Sequence, residues 1–276
     1  MNTVIDLFSY DFFLNAFWAS FFAAVSCGIV GTYIVSRRIV FVSGGITHAS
    51  FGGIGIGYFL GWSPLLGAAI FAILSGWGIQ LFTQKGKVRE DSSIAIWWSL
   101  GMAIGIIFIY LSPGYAPNLM SYLFGSVLTV STTELYLMGA LSLVLVLFFT
   151  LFYRLILYVA FDEEFAKTTG LPVNLINYLL ISLIALTIVL NIRVVGIILI
   201  LSLLTLPQAT ANLFTKDFKK MMVISVLFAF IGSFAGLLFS FYVDIPSGAS
   251  IIFTLVLVFA LTKLAFYIRQ KLLSRG

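Results

Sequence analysis

The sequence is poor in charge, cysteine and histidine. Asp, Glu, Lys and Arg make up only 9% of its 276 residues, against roughly 25% in an ordinary soluble domain. So little charge cannot cover a water-facing surface, which excludes a soluble enzyme. The single cysteine, Cys27, excludes a disulfide framework and a cysteine-based metal site, because both need partners. No Gly-x-x-x-x-Gly-Lys-Ser/Thr loop occurs, so no ATP site of that kind is expected. We predict no catalytic residue and no bound cofactor.

Apolar residues, in contrast, make up 61% of the chain. A membrane helix needs roughly 20 of them in succession to cross the hydrocarbon layer. No long polar stretch interrupts the sequence, so residues 1–276 are expected to form a single transmembrane domain. The sequence therefore predicts an all-α integral membrane protein with about nine transmembrane helices, near 13–35, 46–61, 64–82, 94–111, 135–158, 174–190, 195–214, 221–243 and 250–268.

The basic residues predict the orientation of these helices. If the N-terminus lies outside and the helices alternate in direction, fourteen of the fifteen Lys and Arg residues fall on the cytoplasmic side, and only Arg193 falls outside. The C-terminus is then cytoplasmic. Because this distribution accounts for the net charge of +5, no nucleic-acid partner is expected.

One cytoplasmic loop, FDEEFAKTTGLP at 161–172, is the most polar stretch of the chain. Asp162 suits a helix N-cap, Glu163 and Glu164 suit a first turn, and Gly170 followed by Pro172 suits a helix end. We predict a short helix at about 162–170 that serves as a docking element.

A second irregular segment, 112–134, lies on the outer side. Its Ser-Pro-Gly-Tyr-Ala-Pro start is expected to end one helix, and the apolar run after Asn118 is too short to span. A short helix at the outer surface, or dipping into it, is predicted.

The second predicted span is rich in glycine and contains the only histidine, His48, near its inner end. Gly53, Gly57 and Gly61 recur every fourth residue and should form one closely packed helix face. Gly44, His48 and Gly52 form a neighbouring stripe. An ionisable group in a span is either functional or hydrogen-bonded where two helices cross, and the sequence leaves both interpretations open.

The ten acidic residues all lie away from the predicted span centres. Proton-driven carriers usually keep a carboxylate there, which disfavours a secondary carrier. Asp244, in the outer turn FYVDIPSGAS, is either a solvated loop residue that caps the last helix or a residue that helps receive a cation.

Three stretches resemble the zinc/manganese/iron permease family of ABC importers. RRIVFVSGGITHASFGGIGIG resembles the family's Arg-Arg and Asp-x-x-x-His-Ala signature. RVVGIILILSLLTLPQATANLF matches another family helix at Pro207, Thr210 and Ala211. FDEEFAKTTGLP stands where the family carries its coupling helix, and LMSYLFGSV resembles the short outer helix of the wider group that includes cobalamin importers.

The resemblance implies a type II ABC-importer permease in the bacterial cytoplasmic membrane. Such a permease forms a homodimer, is energised by separate ATPase subunits, and receives a divalent metal from an extracytoplasmic metal-binding protein. Zn²⁺ and Mn²⁺ are favoured here, and iron is left open. Coupling to the ATPase is carried over to Glu163, Glu164, Ala166 and Gly170. His48 is carried over as a metal ligand, and Ser43, Gly44, Thr47, Pro207 and Asp244 as path or gate residues.

The chain departs from the family at Gly44, where the family has the Asp that stands one turn before the histidine. An Asp–His pair at that spacing would share a helix face and coordinate a cation together. The missing carboxylate leaves open an alternative, a permease for a metal chelate or vitamin. A stand-alone channel or carrier is a third alternative, and it gives the polar loop no role.

Overall fold

The computed structural model describes residues 7–112 and 119–273, and all regular structure in these two ranges is helical. The helices are α1 Asp11–Arg37, α2 Val40–Leu60, α3 Pro64–Gln84, α4 Glu90–Leu111, α5 Leu119–Phe124, α6 Thr132–Leu151, α7 Tyr153–Phe161, α8 Glu163–Thr168, α9 Val173–Val195, α10 Ile200–Leu203, α11 Leu206–Phe214, α12 Phe218–Val243 and α13 Ser247–Leu273, with a 3₁₀ turn at Val127–Thr129.

Each predicted span coincides with helical structure. Seven helices in the described part are long and apolar enough to cross a membrane, namely α1, α3, α4, α6, α9, α12 and α13. Helix α2 is equally long but is not one of these seven, because six glycines and a histidine dilute its apolar character. The all-α membrane class is therefore confirmed, while the number of crossings and the outer N-terminus stay predictions.

Two predicted spans are not continuous helices. The span at 135–158 is divided at Phe152 into α6 and α7. The span at 195–214 is divided into α10 and α11, since Pro207 has no N–H to donate to Leu203 and its ring collides with that carbonyl. Gly196, with φ +82°, separates α9 from this broken segment.

The predicted short outer helix is present as α5, and it satisfies the backbone where α9 ends. The N–H groups of Ile197 and Ile198 donate to the carbonyls of Tyr122 and Leu123 at 2.9 and 3.2 Å. Unpaired backbone groups are costly at membrane depth, so these bonds allow the chain to break there. The proline-containing start of this outer segment lies largely outside the described residues.

The crossing of α5 with the α9–α10 joint depends on glycine. A Cβ atom on Gly125 would collide with the backbone of Val195 and Gly196, and one on Gly196 would collide with Leu123 and Phe124. Both glycines have positive φ. No other residue would fit the two backbones at this distance without strain.

The centre of the molecule is built around α1 and α9, which bury more than half of their apolar window, whereas α4 and α13 bury less than a fifth. Polar side chains join the central helices: Asn191 of α9 donates to the Ser26 hydroxyl at 3.1 Å, and Gln208 of α11 donates to the Cys27 carbonyl at 2.7 Å. Interhelical hydrogen bonds of this kind stabilise membrane bundles.

Helix α2 lies between α3 and α4 with close backbone contact on both sides. Gly53 faces Gly67 of α3, and Gly57 faces Pro64 of the same helix. The recurrence of glycine at every fourth residue predicts this close contact. Gly52 faces Gly101 of α4 on the other side. Gly61 has a different role, because it ends α2 with φ +69°.

Candidate functional site

His48 lies further from the start of its helix than the predicted span indicates. Helix α2 begins at Val40 and not near residue 46, which puts His48 eight residues, or about 12 Å, from the helix start. The predicted start of this helix is therefore too late, while the depth of His48 in the membrane stays a prediction. The residues that look polar in the sequence, Ser43 to Gly45, are part of the helix and are buried.

The His48 ring is oriented by stacking. It lies parallel to the Trp98 indole of α4, with ring centroids 4.0 Å apart and an interplanar angle of 4°. The ring is half-buried. Within residues 7–112 and 119–273 it makes no hydrogen bond, so the unprotonated nitrogen of the neutral imidazole is free to bind a cation. No described residue supplies the hydrogen bond that the interpretation of His48 as a packing residue requires.

The other path residues predicted on α2 are partly engaged by their own helix. The Ser43 hydroxyl donates to the Val40 carbonyl and the Thr47 hydroxyl to the Ser43 carbonyl, each at 2.7 Å. Gly44 faces α10, where a Cβ atom would meet only the δ-carbons of Leu201 at 3.7 and 3.9 Å. These are ordinary van der Waals distances, so a Cβ atom fits at position 44.

The broken segment α10–α11 lies beside this part of α2. Leu201, which faces Gly44, is half-buried, and so are Ser202 and Thr205. The Thr205 hydroxyl donates to the Leu201 carbonyl at 2.8 Å. Pro207 is buried and acts by ending the hydrogen-bonding pattern between α10 and α11. Helix α2 and the broken segment thus both present half-exposed polar groups, His48 on the one and Ser202 and Thr205 on the other.

One chain does not supply a complete metal site at this position. Among the described residues, no group of three or more His, Cys, Asp or Glu side chains lies close enough to hold a metal ion. A cation at His48 would need further ligands, such as water, hydroxyl or carbonyl oxygens, or groups from a second copy of the chain.

The predicted docking helix is present as α8, Glu163–Thr168. The Asp162 carboxylate accepts from the Phe165 N–H at 2.9 Å and caps it, as predicted. Gly170 follows with φ +75° and open space where a Cβ would lie. Glu164, Phe165 and Gly170 are exposed, whereas Ala166 is fully buried. Ala166 therefore positions the helix against its own chain, and its exposed neighbours are the ones accessible to a partner.

Arg37, which the sequence indicates only as a topology determinant, joins three elements. Its guanidinium forms an ion pair with Glu163 of α8 and donates to the Asn177 amide oxygen of α9 at 2.6 Å and the Tyr33 hydroxyl of α1 at 2.7 Å. Lys167 lies 3.3 Å from the other oxygen of Glu163. This Arg37 cluster fixes α8 to both central helices.

The ammonium of Lys167 also bonds to Glu164 at 2.9 Å. That bond, assisted by Glu163, raises the pKa of Lys167. The side chain therefore stays charged at neutral pH, and the charge of α8 is nearly balanced on its exposed face.

A third polar cluster surrounds Arg193, the one basic residue predicted on the outer side. Its Nε lies 2.9 Å from the Glu134 carboxylate, and its guanidinium lies 5.2 Å from the centre of the Tyr122 ring. Glu134 also closes a capping box with Ser131 at the start of α6. A lone cation on the side that lacks basic residues is the sequence signal that could have indicated this pair.

Asp244 lies apart from these clusters. It ends α12 in a left-handed conformation, with φ +58°, and it is exposed. It thus caps the C-terminal end of α12, whereas the sequence interpretation has it capping the last helix.

Comparison with known proteins decides the family. Residues 9–266 match the ABC 3 transport family. The chain belongs to this family. It is 36% identical over 266 residues to the manganese transport system membrane protein MntC of Halalkalibacterium halodurans, an alignment that covers 96% of this chain and 90% of the relative.

A second relative is a probable metal transport system membrane protein of Chlamydia pneumoniae, 40% identical over 256 residues, which cover 91% of this chain and 87% of that protein. Among solved structures, PsaBC from Streptococcus pneumoniae in complex with Fab superposes with a TM-score of 0.85 at 30% identity, covering 94% of this chain and 93% of that one. The resemblance to the zinc/manganese/iron importer permeases is thus confirmed, and the ABC 3 protein has the type II importer-like permease fold in a multi-pass membrane arrangement.

Proposed function

We propose that this chain is the permease subunit of an ABC importer for a divalent metal cation, Zn²⁺ or Mn²⁺, with His48 in the path. One observation carries the proposal: a histidine in the middle of a membrane segment is held by Trp98 in a fixed orientation and left without a hydrogen bond by the described residues. Imidazole suits Zn²⁺ among the divalent metals, and an intramembrane ionisable group is functional by default. The similarity to a manganese transport membrane protein and to a probable metal transport membrane protein supports the same substrate class.

The path itself is proposed to form between two copies of the chain. His48, Ser202 and Thr205 are half-exposed at membrane depth in a single chain, a position that is unfavourable against lipid. A homodimer would cover this face and turn it into a polar passage. The least buried spans, α4 and α13, are the ones with surface left for such an interface.

Energy is proposed to enter through α8, where a separate ATPase subunit would contact Glu164, Phe165 and Gly170. An extracytoplasmic metal-binding protein would deliver the cation to the opposite side. In this scheme the chain catalyses no covalent step, and the passage binds the cation weakly enough to release it, as conduction requires.

The experiment is metal uptake into proteoliposomes that contain the permease, its ATPase and its binding protein, with Zn²⁺ and Mn²⁺ compared. His48→Ala should lower uptake at least tenfold while membrane abundance changes little. Ser75→Ala is the control, because Ser75 is a buried α3 residue whose hydroxyl bonds only within its own helix. Equal losses of abundance and uptake in His48→Ala would assign His48 to packing and not to the path.

A further inference from the structure

A long groove runs along the outside of the helix bundle between α1, α6 and α12. It encloses about 520 Å³, a volume in the range of ligand sites. Its walls are aliphatic and aromatic, with Val25 and Ile29 at the base, Val146 and Phe149 on one side, and Val226 and Leu227 on the other. Nothing in the transport path uses this surface, which lies on a different side of α1 from the contacts with α9 and α11.

The groove changes character at one end. Thr150, Tyr153 and Lys219 line it there, at the predicted cytoplasmic ends of α6 and α12. An adjoining cleft shares Thr150 and Tyr153 with the groove and is lined by Arg154. Two cations and two hydroxyl groups therefore surround the mouth of the apolar groove.

These two cations have no acidic partner of their own. In the part of the chain that the structure describes, neither Lys219 nor Arg154 forms an ion pair. The acids nearest this end, Asp162 and Asp217, line a neighbouring cleft that also contains Tyr153, and the Asp217 carboxylate accepts from the Lys220 N–H at 2.8 Å. Lys219 and Arg154 thus carry positive charge at the mouth of the groove without a direct acidic partner among the described residues.

We propose that this groove binds an anionic phospholipid of the cytoplasmic leaflet. One acyl chain lies along the apolar walls, and the phosphate is held by Lys219 and Arg154 with the Tyr153 hydroxyl as a further donor. Basic pockets between membrane helices on the cytoplasmic side bind anionic headgroups, and a lysine at that depth extends its amine to the headgroup level. A free phosphate would leave the apolar walls unused, and a zwitterionic lipid would bring no net negative charge to the two cations.

The test is native mass spectrometry of the full chain released from detergent after addition of phosphatidylglycerol or phosphatidylcholine with identical acyl chains. The wild-type protein should retain phosphatidylglycerol in preference, and Lys219→Ala should lower that preference about fivefold, the factor expected for one lysine near an anionic surface. Lys220→Ala is the matched control, because Lys220 is the next residue on the same helix and does not line the groove. Lys219→Arg should keep the preference.

A second variant tests the acyl-chain part. Val146→Trp fills the groove from α6 and should lower retention of both lipids while leaving the headgroup preference of the residual binding intact. The proposal is overturned if the wild-type protein shows no preference, if Lys219→Ala and Lys220→Ala lose it equally, or if glycerol phosphate displaces the lipid as well as intact phosphatidylglycerol does. None of these outcomes depends on metal transport.

Discussion

Arg37 and His48 show two opposite ways of placing an ionisable side chain in a membrane protein. The Arg37 guanidinium is saturated: Glu163, Asn177 and Tyr33 all bind it, and the three lie on different helices. The His48 ring has only a stacking contact and no hydrogen bond among the described residues. A fully bonded group is suited to holding helices together, whereas a ring with an unbonded nitrogen is suited to binding a cation and releasing it, which is the role proposed for His48.

The largest effect is expected from removal of the saturated group. Arg37→Ala should leave Glu163 with Lys167 as its only cation and the Asn177 amide oxygen without its donor, and so detach α8 from α1. Breaking a buried pair costs about 3–5 kcal/mol, and because the Arg37 and Glu163 side chains are 22% and 27% exposed, we expect a smaller loss of about 1–3 kcal/mol. ATPase activity should continue but lose its stimulation by metal and binding protein. Thermal denaturation and ATPase assays of the reconstituted importer measure the two effects.

The neighbouring Arg38 offers the control for this variant. It is exposed and ends α1 in a left-handed conformation. Arg38→Ala removes the same charge from the same side of the membrane, so it changes topology signals equally. If both variants lose coupling to the same extent, the role of Arg37 is that of a topology determinant and the Arg37 cluster is not a joint.

The contrast between these two residues also shows what the sequence can predict. The lengths and apolar character of the spans, the capped helix at 162–170 and the close glycine face of α2 follow from local patterns, because hydrophobicity, capping and helix periodicity act over a few residues. The Arg37 cluster does not follow from such patterns. Glu163 and Asn177 follow Arg37 by 126 and 140 residues in the sequence, and only folding brings the three side chains together.

The errors within the membrane have local physical causes. Ser43 and the glycines beside it precede the predicted start of the span at residue 46, yet the Ser43 hydroxyl is satisfied by the Val40 carbonyl of the same helix, which is how polar residues are accommodated in a helix interior. The helix therefore starts earlier than the hydrophobic pattern predicts. Pro207 indicates a helix break, but an apolar segment of sufficient length outweighed that signal in the prediction of a continuous span.

The next effect in size concerns the loop that follows α8. Gly170 has φ +75°, where a β-branched side chain costs about 1–2 kcal/mol. Gly170→Val should shift the end of α8 and lower metal-stimulated ATPase activity while the membrane helices remain folded. Gly170→Asn is the control, since asparagine tolerates this conformation and space is open around the position. A Val variant as active as the Asn variant would contradict a coupling role for this turn.

A smaller effect is expected when His48 is given a carboxylate partner, as Arg37 already has. Gly44→Asp places a carboxylate one turn before His48, and its Cβ would meet only Leu201 at van der Waals distance. The desolvation cost is ~1–3 kcal/mol, since scales give about 3 at a helix centre. We expect tighter metal retention, measured by isothermal titration calorimetry or equilibrium dialysis, and no faster uptake, because a tightly held cation leaves slowly.

The double variant decides whether His48 takes part. If Asp and His bind the cation together, Gly44→Asp with His48→Ala should lose the added affinity. Equal metal binding by the single and double variants would show that His48 is not a ligand. Gly44→Asn controls for the added volume, because it has the same shape without the negative charge.

The smallest effect is expected at Asp244, which is neither saturated nor buried. Its carboxylate is exposed at the end of α12, with no ion pair to any residue in 7–112 or 119–273. Asp244→Asn should change the free energy of unfolding by less than about 0.5 kcal/mol, as surface substitutions usually do, and asparagine keeps the left-handed conformation at φ +58°.

If this carboxylate helps to receive the cation, the variant should need a severalfold higher metal concentration for half-maximal uptake at unchanged maximal rate, because local negative charge raises the cation concentration at the entrance. That shift should disappear at high salt, where exposed charges are screened. Uptake curves that coincide with the wild type at low and high salt would assign Asp244 to helix termination alone.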